Sequence, residues 1–246
     1  MNILKSGLVW AIAVTFLIFF FPVTFIVWLL VLPFDRNRVI THWILVYQGI
    51  VLSRILPIWT IKTEGIEKIV KGTTYVIISN HQSILDVLLL NNIPYRYKWI
   101  SKIENVKVPI LGWYLKMADY IIVNRGNEES KLEMLDKSYK CLKEGMSIMI
   151  FPEGTRSYDR EIGFFKRGAF QLALQANVPL LPVVLDGSGD VLPKHGLKLG
   201  SHYRITIRVL DPIMPQDFSS HNPDILAEDI SSIMKEELKK IREKQN

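Results

Sequence analysis

Cysteine is almost missing from this 246-residue chain: Cys141 stands alone, which excludes an internal disulfide framework and a cysteine-rich zinc site. His195 and His202 lie in a Gly/Lys-rich loop without the spacing of metal ligands, so no metal is expected. No nucleic-acid motif and no block of basic residues interleaved with aromatics occurs, which sets nucleic acid aside as a partner. Internal repeats and low-complexity linkers are lacking too. Charge is absent from the whole stretch between Lys5 and Asp35.

That last absence is also a presence. Gly7 to Phe34 is almost wholly apolar, about 28 residues or roughly 42 Å as helix, against a hydrocarbon core of about 30 Å. It is too long for the apolar region of a signal peptide, and no small-x-small cleavage site precedes Asp35 and Arg36. Pro22 removes a helical hydrogen bond mid-run and favours a kink or a break there. A second apolar stretch, Trp43 to Ile61, carries Arg54 and Pro57. Residues 1–60 are therefore expected to form a helical membrane anchor, either one spanning helix or a two-helix motif, ahead of an α/β domain over 61–246. The rest of the chain is ordinary globular sequence. A formal net charge of +6 and a pI near 9.3 favour anionic partners such as lipid headgroups, phosphorylated metabolites or an acidic carrier protein.

From Ile61 onward, strand-like and helix-like runs alternate, the pattern of a largely parallel, mixed sheet flanked by helices. Strands are expected at 59–63, 74–79, 119–123, 147–151, 180–185 and 203–209. Helices are expected over Asn127 to Glu144, with Leu132, Leu135, Tyr139 and Leu142 on one face and Gly145 as a left-handed stop, and over Gly168 to Ala176. A C-terminal helix should open at Asn222-Pro223 with Ile225, Leu226, Ile230, Ile233, Met234, Leu238 and Ile241 buried. Four strands finish on polar sequence: Asn80-His81-Gln82-Ser83-Ile84-Leu85-Asp86, Asn124-Arg125, Pro152-Glu153-Gly154-Thr155-Arg156-Ser157 and Asp186-Gly187-Ser188-Gly189. In parallel sheets such tips converge on one cleft.

With Ser83 as a helix cap, Asp86 falls on the third helical position and its carboxylate returns toward His81, whose Nδ1 proton it could accept while Nε2 acts as a base. A capping box explains Ser83 and Asp86 equally well on local grounds. Arg156 offers a planar cation for a phosphate, with backbone amides freed by Gly154; an ordinary turn with a surface ion pair is the plainer reading. Arg125 adds a second cation, and Lys166 and Arg167 stand at a helix start, where a bound anion would offset their repulsion from the dipole. Ser83 lacks the Gly-x-Ser-x-Gly elbow of a hydrolase nucleophile, and no His neighbours Cys141 in sequence.

Taken in order, Asn80-His81 to Asp86, Phe151-Pro152-Glu153-Gly154-Thr155-Arg156-Ser157, Phe165-Lys166-x-Gly168 and Val178-Pro179-x-x-Pro182-Val183 resemble the glycerolipid acyltransferases, over roughly residues 60 to 215. The bacterial 1-acyl-sn-glycerol-3-phosphate acyltransferases are the most similar group. The chain departs from the family's pattern at Asn124, where an Asp usually precedes the Arg; Asn keeps the hydrogen bonding and loses the charge. The resemblance implies transfer of a fatty acyl group from an acyl carrier protein or coenzyme A thioester to the sn-2 hydroxyl of lysophosphatidic acid, with no other cofactor. His81 and Asp86 would be catalytic. Arg125, Arg156 and Lys166 would hold the phosphate, Glu153, Gly154 and Thr155 the glycerol side of the cleft, and Lys102 would lie near the headgroup. The implied setting is the inner membrane, with the catalytic domain on its cytoplasmic face. Three other readings remain open: a different lysolipid or glycerol 3-phosphate as acceptor, a covalent mechanism through Ser83 or Cys141, and a non-catalytic phospholipid-binding protein.

Overall fold

The computed structural model describes residues 3–194, 196, 198–200 and 203–244; His195 and His202 lie outside the described residues. The elements run α1 Ile3–Val31, α2 Val39–Ile55, β1 Trp59–Glu64, β2 Val76–Ser79, α3 Asp86–Leu89, β3 Tyr97–Lys102, α4 Leu111–Met117, β4 Ile121–Val123, α5 Glu128–Lys143, β5 Ser147–Ile150, α6 Gly168–Ala176, β6 Leu180–Asp186, α7 Ser188–Val191, β7 Tyr203–Val209 and α8 Pro223–Glu243.

The seven strands form one sheet in the order β1-β7-β6-β2-β5-β3-β4. Every neighbouring pair is parallel except β6 with β7, so the expected mixed, largely parallel sheet is present. Parallel strands covered by helices on both faces are apolar on both, and β2 is fully buried over its four residues. Tyr75 and Ile77 point into a core shared with Leu52, Leu89, Tyr97 and Trp99 on the side of α2 and α3. Val76 and Ile78 join the opposite core, with Phe170 of α6, Leu142 of α5 and Met234 of α8.

Several elements differ from expectation. β3 was not anticipated, because Lys98 and Lys102 interrupt its apolar pattern; Lys98 is nevertheless buried, its Nζ 2.6 Å from Asp119 Oδ2. β4 starts at Ile121 instead of 119, since Asp119 has a φ of 52° and cannot extend a strand. On α5, Leu132 faces solvent, and on α8 Ile225 and Ile233 do, while Ala227 and Ser231 take the buried positions. The caps follow expectation: Asn222 Oδ1 accepts from Asp224 N at 2.9 Å, and Gly145 follows α5 at a φ of 77°. Asn127 Oδ1 caps α5 at its start, accepting from Ser130 N.

At the amino-terminal side, α1 passes through Pro22 without a break. It is 29 residues long and its most apolar 18-residue window has a mean hydropathy of 2.6, enough by length and composition to cross a membrane. A seven-residue turn reverses the chain, and there Asp35 caps α2, accepting from Val39 N at 2.6 Å through Oδ1 and from Thr41 N at 3.0 Å through Oδ2. Between the two helices, Gln48 Nε2 donates to Thr24 Oγ1 at 2.6 Å. α2 is then locked to the sheet by polar contacts. His42 Nε2 donates to Tyr95 O at 2.8 Å, which leaves Nδ1 to accept from the Tyr120 hydroxyl at 3.0 Å. Trp59 Nε1 donates to Ser53 O, and Asn92 Nδ2 to Ser53 Oγ.

Candidate active site

Because β2, β5, β3, β4 and β6 run in one direction, their carboxyl ends open on the same edge of the sheet. The chain leaves β2 through Asn80, whose side chain imitates a strand neighbour: Nδ2 donates to Leu185 O and Oδ1 accepts from Leu185 N, both at 2.8 Å. This pins the turn that carries His81.

Asp86 does return to the histidine, though by a different route from a Ser83 cap. α3 begins only at Asp86, and the fully buried Ser83 hydroxyl donates to Leu192 O at 2.8 Å. Asp86 itself gathers the turn. Its Oδ2 accepts from His81 Nδ1 at 2.8 Å, Gln82 N at 2.7 Å and Ser83 N at 2.9 Å. Three donors on one oxygen fix the loop and the ring together, and Asp86 Oδ1, equally buried, has no hydrogen-bond partner among the described residues. The imidazole lies flat on Phe151, with centroids 3.9 Å apart and planes at 9°, and Trp99 backs Phe151 in turn. With Nδ1–H committed to the carboxylate and one face covered, Nε2 is the nitrogen left for chemistry.

The turn after β5 closes on the same histidine. Glu153 Oε1 accepts from His81 N at 2.8 Å, its Oε2 accepts from Gly163 N at 3.1 Å, and Ser157 N donates to His81 O at 2.8 Å. Glu153 is only 6% exposed, and burial pushes its carboxyl up to about 7. Its oxygens are occupied by main-chain amides, an arrangement that braces loops.

Gly154, with a φ of 67°, supplies the left-handed bend of this turn. Two cations expected from sequence meet there. Arg125 Nη1 donates to Gly154 O, and Lys166 Nζ lies so near that a Cβ added to Gly154 would stand 3.0 Å from it. Lys102 ends β3 in register with Val123, two residues before Arg125, and pairs with Glu104 at 2.8 Å. Asn124 forms a local turn instead of meeting a ligand, its Oδ1 accepting from Gly126 N. Arg156 is half-buried; its carbonyl accepts from Lys194, and the amide of the next residue, Ser157, donates to His81 O.

Sequence reasoning missed Lys194. Its Nζ donates to Arg156 O at 2.6 Å and Thr155 Oγ1 at 3.1 Å and lies 3.5 Å from the centre of the Tyr158 ring. Nothing in its Gly/Lys-rich surroundings announced the contact. The tip after β6 supports rather than binds: Asp186 Oδ1 receives Arg242 Nε at 3.2 Å and Gln82 Nε2 at 3.3 Å. Cys141 sits on α5, its thiol pushed up by burial, and with Ser83 buried and bonded neither is disposed as a nucleophile.

The sheet and this edge define an α/β protein with a histidine–carboxylate pair at its strand tips and cations gathered one turn away. Comparison with known proteins narrows the class. The Acyltransferase family profile matches residues 60–186, and the chain belongs to that family. It is 34% identical over 184 residues to a chloroplastic 1-acyl-sn-glycerol-3-phosphate acyltransferase of Brassica napus, covering 74% of this chain and 53% of that one. It is 31% identical to the 1-acyl-sn-glycerol-3-phosphate acyltransferase of Saccharomyces cerevisiae, over 74% of this chain and 60% of the yeast protein. It is 32% identical to a probable 1-acyl-sn-glycerol-3-phosphate acyltransferase of Mycoplasma genitalium, over 68% and 67%. The chain spans about half the length of the chloroplast relatives it matches. Its fold is that of the crystal structure of the 1-acyl-sn-glycerophosphate acyltransferase PlsC from Thermotoga maritima, with a TM-score of 0.82 at 23% identity over 98% of this chain and 96% of that one.

Proposed function

We propose that this protein transfers a fatty acyl group from a thioester, carried by acyl carrier protein or coenzyme A, to the sn-2 hydroxyl of 1-acyl-sn-glycerol 3-phosphate, at the cytoplasmic face of the inner membrane. The observation that carries the reading is the bond from His81 Nδ1 to the buried Asp86, set beside Arg125 and Lys166 on the neighbouring turn.

The steps follow from that geometry. His81 Nε2 takes the proton of the acceptor hydroxyl as its oxygen attacks the thioester carbonyl. The tetrahedral intermediate collapses with cleavage of the carbon–sulfur bond, and the imidazolium returns its proton to the departing sulfur. Asp86 supports the imidazolium: a buried carboxylate with one bare oxygen gains most when the ring beside it becomes charged. Arg125, Lys166, Arg156 and Lys102 hold the phosphate, so the hydroxyl is presented to Nε2 instead of arriving by diffusion. Glu153 contributes as a clamp on the His81 main chain, a revision of the glycerol-binding role expected from the sequence; Gly154 and Thr155 keep the acceptor side.

Residues 1–60 serve as the membrane anchor of the 61–246 domain. Both lipids keep an acyl chain in the bilayer, and pulling one into water costs about 0.8 kcal/mol per methylene, so the site works where α1 is seated. Purified protein in mixed micelles, given an acyl thioester and lysophosphatidate, is expected to form phosphatidate, and His81→Ala to lose about 10²–10⁴ in kcat. An unchanged rate in the variant, or no product from the wild type, would remove the proposal.

A further inference from the structure

We infer that the cleft beside Lys194 receives the 4′-phosphopantetheine arm of the acyl donor, the segment that acyl carrier protein and coenzyme A have in common. The inference rests on the function proposed above and names a second anion site for it.

Two reactants of such a transfer both carry phosphate, so one cation cluster does not suffice for an ordered encounter at a single histidine. The turn after β5 has cations on two sides. Arg125 and Lys166 approach it at Gly154. Lys194 approaches it at Thr155 and Arg156. Among the described residues no carboxylate lies within ion-pair distance of Lys194, so its charge is held in place by neutral acceptors and an aromatic ring and is not neutralised. These contacts position the ammonium at the cost of side-chain entropy and leave it without a counter-ion, which a bound phosphate would supply through charge-assisted hydrogen bonds.

Lys194 borders a cleft of about 250 Å³ lined also by Gln82, Ser157, Tyr158, Arg160 and Asp190. The cleft adjoins the catalytic pair through two residues: Gln82 follows His81, and Ser157 N donates to His81 O. Its lining suits an arm built of two amides between a phosphate and a thioester. Tyr158 offers an exposed ring, Arg160 a half-exposed guanidinium and Lys194 the cation for the phosphate end, while Gln82, bonded to Arg160 O and Asp186, and Ser157, whose hydroxyl donates to Asp159, form a fixed floor. Arg160 is tied to Asp190, so that wall is preformed. The acceptor's phosphate keeps the Gly154 side, and the two substrates meet at His81 from opposite ends of one turn.

The test combines binding with kinetics. Calorimetric titration of the detergent-solubilised full chain with desulfo-coenzyme A, a thioester-free probe, is expected to show binding that weakens about tenfold, or 1.4 kcal/mol, in Lys194→Ala. In turnover, KM should rise by a similar factor in the variant for acyl-coenzyme A and for acyl carrier protein. KM for lysophosphatidate, and the rate with an acyl-N-acetylcysteamine thioester that lacks the phosphate, should not change. A rise with acyl carrier protein alone or coenzyme A alone, together with unchanged probe binding, overturns a shared arm site, as does equal loss on the phosphate-free thioester. If probe binding depends on Lys194 while the wild type transfers no acyl group, the cleft stands and the proposed reaction falls. If the wild type transfers acyl groups and Lys194→Ala binds and works normally, the reaction stands and the cleft falls. Lys194→Arg, which keeps the charge, should retain binding where Lys194→Ala loses it.

Discussion

At the scale of single residues, the histidine and its acid were readable because they lie five positions apart on one turn, where local spacing dictates proximity. The partner atoms were not readable. Ser83 was expected to cap a helix, but Asp86 Oδ2 collects the His81, Gln82 and Ser83 donors by itself, and Ser83 is left to hold Leu192. Glu153 was expected to face a ligand, but its depth is set by loops from 72 and 10 residues away, which no local pattern encodes. Its titration has a measurable consequence. The folded carboxyl is raised from 4.5 to about 7, so between those values the folded chain retains a proton that the unfolded chain has released. Stability therefore falls as pH rises from about 4.5 through about 7, by on the order of 3 kcal/mol. Glu153→Gln, which cannot ionise, should flatten this slope; denaturant unfolding of both proteins at pH 5 and pH 8 measures it.

At the scale of elements, six of seven strands and the long helices were legible from period and from Gly, Asn and Pro punctuation. The seventh, β3, escaped because its buried Lys98 reads as surface until Asp119 is known to sit beside it. The segment after β3 was equally opaque. Leu111 N donates to Pro109 O at 2.7 Å across Ile110, whose φ is 64°, a tight turn that a branched side chain rarely accepts. It is held closed by packing, since the Gly112 Cα faces Val106 O so closely that a Cβ would stand 2.0 Å from it. The obstacle is main chain and cannot swing aside. Gly112→Ala should thus destabilise the protein by about 1–3 kcal/mol and loosen the route from Lys102 into α4, seen as a lower unfolding midpoint with the m-value unchanged. By contrast, the closing turn of α5 at Gly145 was legible in full because one residue type suffices there.

At the scale of the whole molecule, composition set an apolar N-terminal stretch apart from an α/β body, and in the structure the two share a core: Val9, Leu52 and Leu56 pack with the sheet residues. What composition could not give was the joint between them. His42, Ser53 and Trp59 fasten α2 to the sheet, so the N-terminal helical pair is fixed to the α/β body. α1 presents Ile18, Phe19, Val23 and Ile26 outward. Phe19→Lys, placing a charge on that face, should weaken sedimentation with anionic phospholipid vesicles by about 2–3 kcal/mol, while leaving turnover of a short-chain, micelle-free acceptor intact. The main chain of His81 is grasped at both its amide and its carbonyl by the turn that carries Glu153 and Ser157. Under the proposed function, redesign of residues 153 to 157 for new headgroups would move His81 along with the turn, and altered selectivity would come at the expense of speed unless both hydrogen bonds are preserved.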